Sequence, residues 1–362
     1  MRTVIVSGLC LWPLVQLSGF RFDRPRNPNI PALLLVCGGL WLSLQACGQG
    51  PGGSAPAGQP PGQPQVVAAD GVLCDLTQRL AAGKLAVSCL LQPADDPHDF
   101  RIRPDQKAQI TGASLLLISG FGLTPALEPL PGAVAVSEQA VPQPLRLTPA
   151  DGHPAGDHDH GAGHDHGDFD PHVWHDPRQA AAMAVVIASQ LSRLDPPAAE
   201  AIQRRSRAMA EQLGRLDGWN RIQFSTLPRP WPPLASSHRA FASLARTYGL
   251  EEMPLVDATS SSDALRPEGF RQVIEALKAG STPRLFAEQT PPARALQRIS
   301  ELSGVPIAPV PLAADGLAMG PDGPLSLMAT LVRNTCTIVE GWGGRCDRKG
   351  GESLIQAWAR IS

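Results

Sequence analysis

Short apolar runs alternate with amphipathic stretches along the chain, and this alternation restricts the fold more than any other feature. In the first half, apolar runs of strand length occupy residues 65–69, 85–91 and 115–118, and segments with helical spacing lie between them at 73–82 and 104–113. Strands that are separated by helices pair in parallel and are covered by helices on both faces. The pattern therefore predicts an α/β fold with a parallel sheet.

The same alternation returns in the second half of the chain, after a long helical region. Residues 136–170 show neither strand-length apolar runs nor helical spacing. Helical spacing then resumes at 176–194 and in a long segment that starts at Pro196. The later predicted strands are 234–236, 254–256, 284–287 and 306–311, and the predicted helices are 239–248, 267–279, 291–303 and 324–336. We expect two lobes, each a mostly parallel sheet flanked by helices, joined by a long helix, with boundaries at 66–195, 196–222 and 223–362.

The first 65 residues have the composition of an export leader and a tether. An apolar run at 31–44 follows Arg21, Arg24 and Arg26 and is shorter than the roughly 20 residues of a membrane span, which indicates an export signal. The run leads into Leu-Gln-Ala-Cys, which resembles a bacterial lipobox, so we expect removal of residues 1–46 and lipidation of Cys47. An ordinary signal peptide with a chance cysteine is the alternative. Residues 47–65, rich in Gly, Pro and Gln, predict a flexible tether.

Four of the seven cysteines lie outside the leader and the lipidation candidate, and an even set in an exported protein favours disulfides. Cys336 and Cys346 enclose a glycine-rich turn, so we expect them to pair. A Cys74–Cys89 bridge would complete the set, although four cysteines permit three pairings. None has Cys-x-x-Cys spacing, which argues against a thiolate metal site.

The histidines are the residues that indicate what this chain binds. The formal net charge is −2, so the chain has neither a nucleic-acid footprint nor a polybasic membrane patch. Of nine histidines, His98, His172 and His238 follow predicted strands or Asp-Pro turns, at the loops where open α/β sheets bind ligands. Imidazole is a preferred zinc ligand, so three such histidines predict one ion held between two lobes. His175 is expected at the surface or behind the ligands.

The segments around these histidines resemble a known family. Residues 95–100 (Asp-Asp-Pro-His-Asp-Phe), 170–177 (Asp-Pro-His-Val-Trp-His-Asp-Pro) and 236–241 (Ser-Ser-His-Arg-Ala-Phe) are similar to signature segments of the cluster A-I metal-binding proteins of ABC importers, in particular their zinc branch, the ZnuA-like proteins. Residues 286–289 and 315–317 also match the family pattern. The resemblance covers about residues 66–345.

The resemblance implies His98, His172 and His238 as metal ligands. For the fourth position it favours Asp315, then a water molecule, then Glu288. Manganese-type relatives carry glutamate at the position of His238, so three histidines favour zinc as the transported ion. The insert at 151–168 resembles the histidine-rich loop of the zinc branch and is expected to collect zinc weakly, an incidental linker being the alternative; its histidines are His153, His158, His160, His164 and His166.

The expected function is high-affinity capture of zinc in the periplasm and its delivery to the membrane permease of an ABC importer, by a monomeric, lipid-anchored protein that is not an enzyme. A manganese importer component, or a secreted zinc buffer or adhesin, is the alternative. A secreted zinc hydrolase is the least supported, because the chain has no His-Glu-x-x-His and no Gly-x-Ser-x-Gly motif.

Overall fold

The computed structural model describes residues 64–93, 95–147, 169–255, 267–289 and 294–361. The predicted signal region, the lipidation candidate Cys47, nearly all of the tether and the five histidines of the 151–168 insert lie outside these residues. All described residues belong to one compact unit. None of the helices within the described ranges combines the length and the apolar character that a membrane crossing requires.

A four-stranded parallel sheet forms the first half, in the order β2-β1-β3-β4. Its strands are β1 (Gln65–Ala68), β2 (Ala86–Cys89), β3 (Leu115–Ile118) and β4 (Ala133–Ala135), and its helices are α1 (Gly71–Ala81), α2 (Pro104–Gly112) and α3 (Val136–Ala140). Helix α3 lies in the region where no helix was predicted. Its five residues are too few to show helical spacing of apolar side chains.

Two long helices separate the sheets. Helix α4 (Pro177–Leu194) follows a 3-10 turn (Val173–His175), and α5 (Ala199–Ser225) follows a second such turn and packs along α4. With 27 residues, α5 is about 40 Å long. Its apolar residues Ile202, Met209, Leu213 and Leu216, which share one face by helical spacing, are buried.

The second half holds a smaller parallel sheet in the order β6-β5-β7. Its strands are β5 (Leu234–Ser236), β6 (Glu252–Pro254) and β7 (Leu285–Phe286), followed by a hairpin of β8 (Met319–Gly320) and β9 (Gly323–Pro324). The helices are α6 (Ala242–Tyr248), α7 (Pro267–Ala279), α8 (Arg294–Ser303), α9 (Leu327–Gly341) and α10 (Arg348–Ala359).

The prediction of a strand at 306–311 was wrong. Only single parallel bridges form near it, between Leu285 and Ile307 and between Glu288 and Leu312. Prolines at 306, 309 and 311 lack the N–H that a continuous ladder requires.

The main apolar core surrounds the first sheet and the two long helices, and the last two helices complete it through Leu327, Met328 and Trp358. Disulfides join Cys74 to Cys89 and Cys336 to Cys346, which are the pairs that the sequence favoured. The α/β architecture with parallel sheets flanked by helices is confirmed. The lobe boundaries at 66–195, 196–222 and 223–362 remain our proposal.

Candidate metal centre

Two of the candidate ligands are positioned by the same local turn. In Asp96-Pro-His98, the Asp96 carboxylate accepts a hydrogen bond from the His98 backbone N–H at 2.9 Å. In Asp170-Pro-His172, Asp170 accepts one from the His172 backbone N–H, also at 2.9 Å. An aspartate that binds the N–H two residues further on closes a tight turn. Each Asp-Pro-His tripeptide therefore fixes the position of the histidine backbone.

The third histidine lies at the end of β5 and is held by a carboxylate from the neighbouring strand. Glu288, which follows β7, accepts a hydrogen bond from the His238 backbone N–H at 3.0 Å, and its second oxygen lies 2.5 Å from His238 Nδ1. The Ser236 hydroxyl donates to the His238 carbonyl at 3.1 Å. Because parallel strands end at one edge of the sheet, Glu288 and His238 meet although 50 residues separate them.

The three histidines converge on one carboxylate. Asp315 Oδ1 lies 3.3, 3.0 and 3.2 Å from Nε2 of His98, His172 and His238, respectively. One donor atom from each of the four residues lies within 4.8 Å of the others. Zinc bonds of about 2.0 Å in a tetrahedron place neighbouring donors about 3.3 Å apart, so the three distances from Asp315 suit a four-coordinate ion.

Carboxylates orient the rings of His172 and His238 from behind. Asp170 Oδ1 lies 3.2 Å from His172 Nδ1, and Glu288 stands in the same relation to His238. A carboxylate only accepts, so Nδ1 of each ring carries a proton and Nε2 is the nitrogen turned toward Asp315. Metal-bound histidines are commonly held in this way.

The charges in this cluster attract a cation. Burial alone would raise the pKa of Asp315, but the charge of His238 and the contacts with all three imidazoles hold it well below its ordinary value. Burial alone would lower the pKa of His172, but hydrogen bonds to Asp170 and Asp315 raise it to about 9. A divalent ion would therefore displace protons from the site.

The structure brings together four of the five candidate ligands: His98, His172, His238 and Asp315. Glu288 instead stands behind His238, so its carboxylate is not one of the four clustered donors. This role depends on strand order, which spacing along the chain does not reveal. The role of Asp170 was also missed, although the Asp-Pro-His motif contained its signal.

His175 is completely buried, and its Nε2 lies 3.0 Å from the carbonyl oxygen of Ala314, the residue before Asp315. Burial and the charge of His172 lower the pKa of His175 to about 4, against the opposing charges of Asp170 and Asp315. A position behind the ligands was one of the two placements expected from the sequence.

Comparison with known proteins identifies the family. Residues 66–341 match the sequence profile described as ZnuA, the periplasmic zinc-uptake complex component A. The chain is 27% identical over 287 residues to the iron-binding protein YfeA of Yersinia pestis, covering 77% of this chain and 86% of that protein. It is 25% identical over 247 residues to the zinc-binding protein TroA of Treponema pallidum, covering 66% and 75%.

Solved structures show the same fold. The periplasmic zinc-binding protein TroA of Treponema pallidum superposes with a TM-score of 0.68 at 24% identity, over 78% of this chain and 100% of that one. Fe(III)-bound YtgA from Chlamydia trachomatis gives 0.68 at 21% identity, over 78% and 99%. Another relative, PsaA of Streptococcus mitis, is named a manganese ABC transporter substrate-binding lipoprotein and is 23% identical over 270 residues, covering 74% of this chain and 84% of that protein.

These relatives are named for iron, zinc and manganese, so the family is defined by metal binding for transport and not by one metal or by catalysis. The profile match spans most of the chain and includes all four residues of the cluster. This chain therefore belongs to the ZnuA family of periplasmic metal-binding, substrate-binding components of ABC importers.

Proposed function

We propose that this protein captures zinc with high affinity in the periplasm and delivers it to an ABC-type zinc importer. The observation that carries the proposal is the donor set of three imidazole nitrogens and one carboxylate oxygen, with the carboxylate oxygen 3.0–3.3 Å from each Nε2. Manganese prefers oxygen ligands in octahedral geometry, whereas zinc suits imidazole nitrogen in four-coordinate sites. The donor set therefore favours zinc.

The closed ligand set favours transport over catalysis. Catalytic zinc sites usually have three protein ligands and keep a fourth position for water or substrate. Here Asp315 would supply the fourth ligand, and the three histidines are buried. We also propose that Cys47 carries a lipid anchor, that the histidines of 151–168 collect zinc weakly, and that a membrane permease receives the ion.

The ligand assignment is tested by chelator competition at neutral pH on the chain without residues 1–63, which keeps strand β1 intact. We expect one site with a Kd of about 1 nM or lower, equivalent to about 12 kcal/mol. His98→Ala, His172→Ala and His238→Ala should each weaken that site by orders of magnitude. A matched control replaces the five insert histidines with asparagine and should remove only weak binding. Tight binding that survives all three ligand changes would overturn the assignment.

Metal choice and delivery need separate measurements. In competition at the same site, the affinity for zinc should exceed that for manganese by several orders of magnitude. A higher affinity for manganese would support a manganese importer component instead. Delivery is tested by radioactive zinc uptake in cells that carry the importer, with the wild-type chain or His238→Ala. Equal uptake with both chains would support a zinc buffer instead.

A further inference from the structure

The loop that carries Asp315 is held through the backbone of the two residues before it. Asp315 Oδ1 faces the three imidazoles, and its Oδ2 is buried without a hydrogen-bond partner among the described residues. Ala313 and Ala314, the two residues before it, are instead held by hydrogen bonds. The Asn334 side chain binds both the N–H and the carbonyl of Ala313, at 3.0 and 2.8 Å, and the Ala314 carbonyl lies 3.0 Å from His175 Nε2.

The contact made by His175 is directional. A carbonyl oxygen only accepts, so Nε2 must carry the proton and donate it to Ala314. The ring is buried beside Phe241 and Trp174, with centroids 4.8 and 5.5 Å away, and Nδ1 has no partner among the described residues. A histidine that satisfies only one nitrogen fills such an apolar slot less favourably than leucine or phenylalanine would. The one hydrogen bond to Ala314 accounts for a polar side chain here.

This hydrogen bond also crosses the site. His175 belongs to the 3-10 turn that directly follows the candidate ligand His172, whereas Ala314 lies 139 residues further along the chain, next to Asp315. The bond therefore ties the segment of one ligand to the loop of another. Without it, the Ala314 carbonyl would lose its contact with the segment that carries His172.

We propose that His175 is a positioning residue of the metal centre, which aims the Asp315 carboxylate at the ion by fixing the Ala314 carbonyl. The proposal rests on the proposed zinc function. Four short zinc bonds require donors that converge within a few tenths of an ångström. If Asp315 drifts, water replaces its oxygen, so both the affinity and the coordination geometry change.

The experiment compares His175→Leu, which removes the donor, with His175→Gln, whose amide can still donate to Ala314. Zinc affinity is measured by chelator competition, and the visible spectrum of the Co²⁺-loaded protein reports geometry because tetrahedral cobalt absorbs more strongly than six-coordinate cobalt. We expect His175→Leu to weaken zinc binding about 10–100-fold and to reduce the cobalt absorption. His175→Gln should retain most of both.

A double-mutant cycle separates positioning from general damage to the fold. In an Asp315→Ala background, His175→Leu should have almost no further effect on zinc affinity, because the group it aims is gone. The same loss in both backgrounds, or wild-type affinity in His175→Leu, would overturn the proposal. If the leucine variant does not fold, His175→Phe, closer in shape to imidazole, replaces it in the cycle. Failure of the proposed function would instead appear as a wild-type chain without tight zinc binding.

Discussion

Replacing Glu288 by glutamine tests whether the carboxylate behind His238 controls metal binding. One oxygen of Glu288 accepts a hydrogen bond from the His238 backbone N–H at 3.0 Å, and the other lies 2.5 Å from His238 Nδ1. Both residues are buried. Because glutamine has one oxygen and one NH2 group where glutamate has two oxygens, the NH2 group must occupy one of these two positions.

Either orientation of the glutamine disturbs the site. If its NH2 group faces the backbone N–H of His238, two buried donors meet without an acceptor. If it faces Nδ1, that nitrogen becomes the acceptor and the ring proton moves to Nε2, where it blocks a bond to the metal. Loss of such a carboxylate lowers metal affinity about 10–100-fold, or about 1.4–2.7 kcal/mol. We expect Glu288→Gln to raise the zinc Kd by this factor in chelator competition at neutral pH.

Glu252→Gln is the matched control. Glu252 accepts a hydrogen bond from the Phe241 backbone N–H at 2.7 Å, three residues after His238, and is not part of the donor cluster. Burial raises the pKa of Glu252 to about 7, so much of it is already uncharged at neutral pH. Glutamine keeps the accepting oxygen, so zinc affinity should be unchanged. Equal affinities for Glu288→Gln and the wild type would refute the reasoning.

Three further predictions concern stability. Cys74→Ser opens a bridge between residues 15 apart and should lower the free energy of unfolding by about 3 kcal/mol, seen as a lower Tm than that of the wild type. Asn220→Ala removes a buried amide that binds the hydroxyls of Tyr248 and Thr335 and should cost about 2 kcal/mol in urea unfolding; a loss below about 0.5 kcal/mol would contradict this. The pKa of His175 is lowered to about 4 in the folded protein. Between about pH 6.5 and 4 the unfolded chain therefore binds a proton at this histidine that the folded protein does not. Stability should therefore fall by up to about 3 kcal/mol between pH 6.5 and 4, and His175→Leu should flatten that part of the curve.

Local chemistry explains what the sequence alone predicts well. The Asp-Pro-His turns at 96–98 and 170–172 form within three residues, so their motifs mark the histidines without knowledge of the fold. Strands such as Leu115–Ile118 and Leu234–Ser236 coincide with their predicted bounds because short apolar runs between helices have few alternatives.

Tertiary packing explains what the sequence did not reveal. Helix α10 has two glycines in its first turn, Gly350 and Gly351, whose helix propensity is poor. It forms because Asp347 accepts a hydrogen bond from the Gly350 N–H at 2.9 Å and because Trp358 is buried in the first core. The contact of Glu288 with His238 likewise depends on strand order and leaves no periodic signal.

The contacts across the site bear on how the ion leaves. The Ser243 N–H and hydroxyl both donate to Asp170, at 3.0 and 2.6 Å, and the Thr247 hydroxyl donates to Asp176 at 2.8 Å. Together with the His175 contact, these bonds link the segment of His172 to the second half of the chain. Each buried hydrogen bond that breaks without replacement costs about 1–3 kcal/mol, so separating the ligands requires a large free energy in the isolated protein. We therefore expect zinc to leave the isolated protein slowly and much faster when the permease is docked. Equal off-rates with and without permease-containing vesicles would show that docking does not open the site.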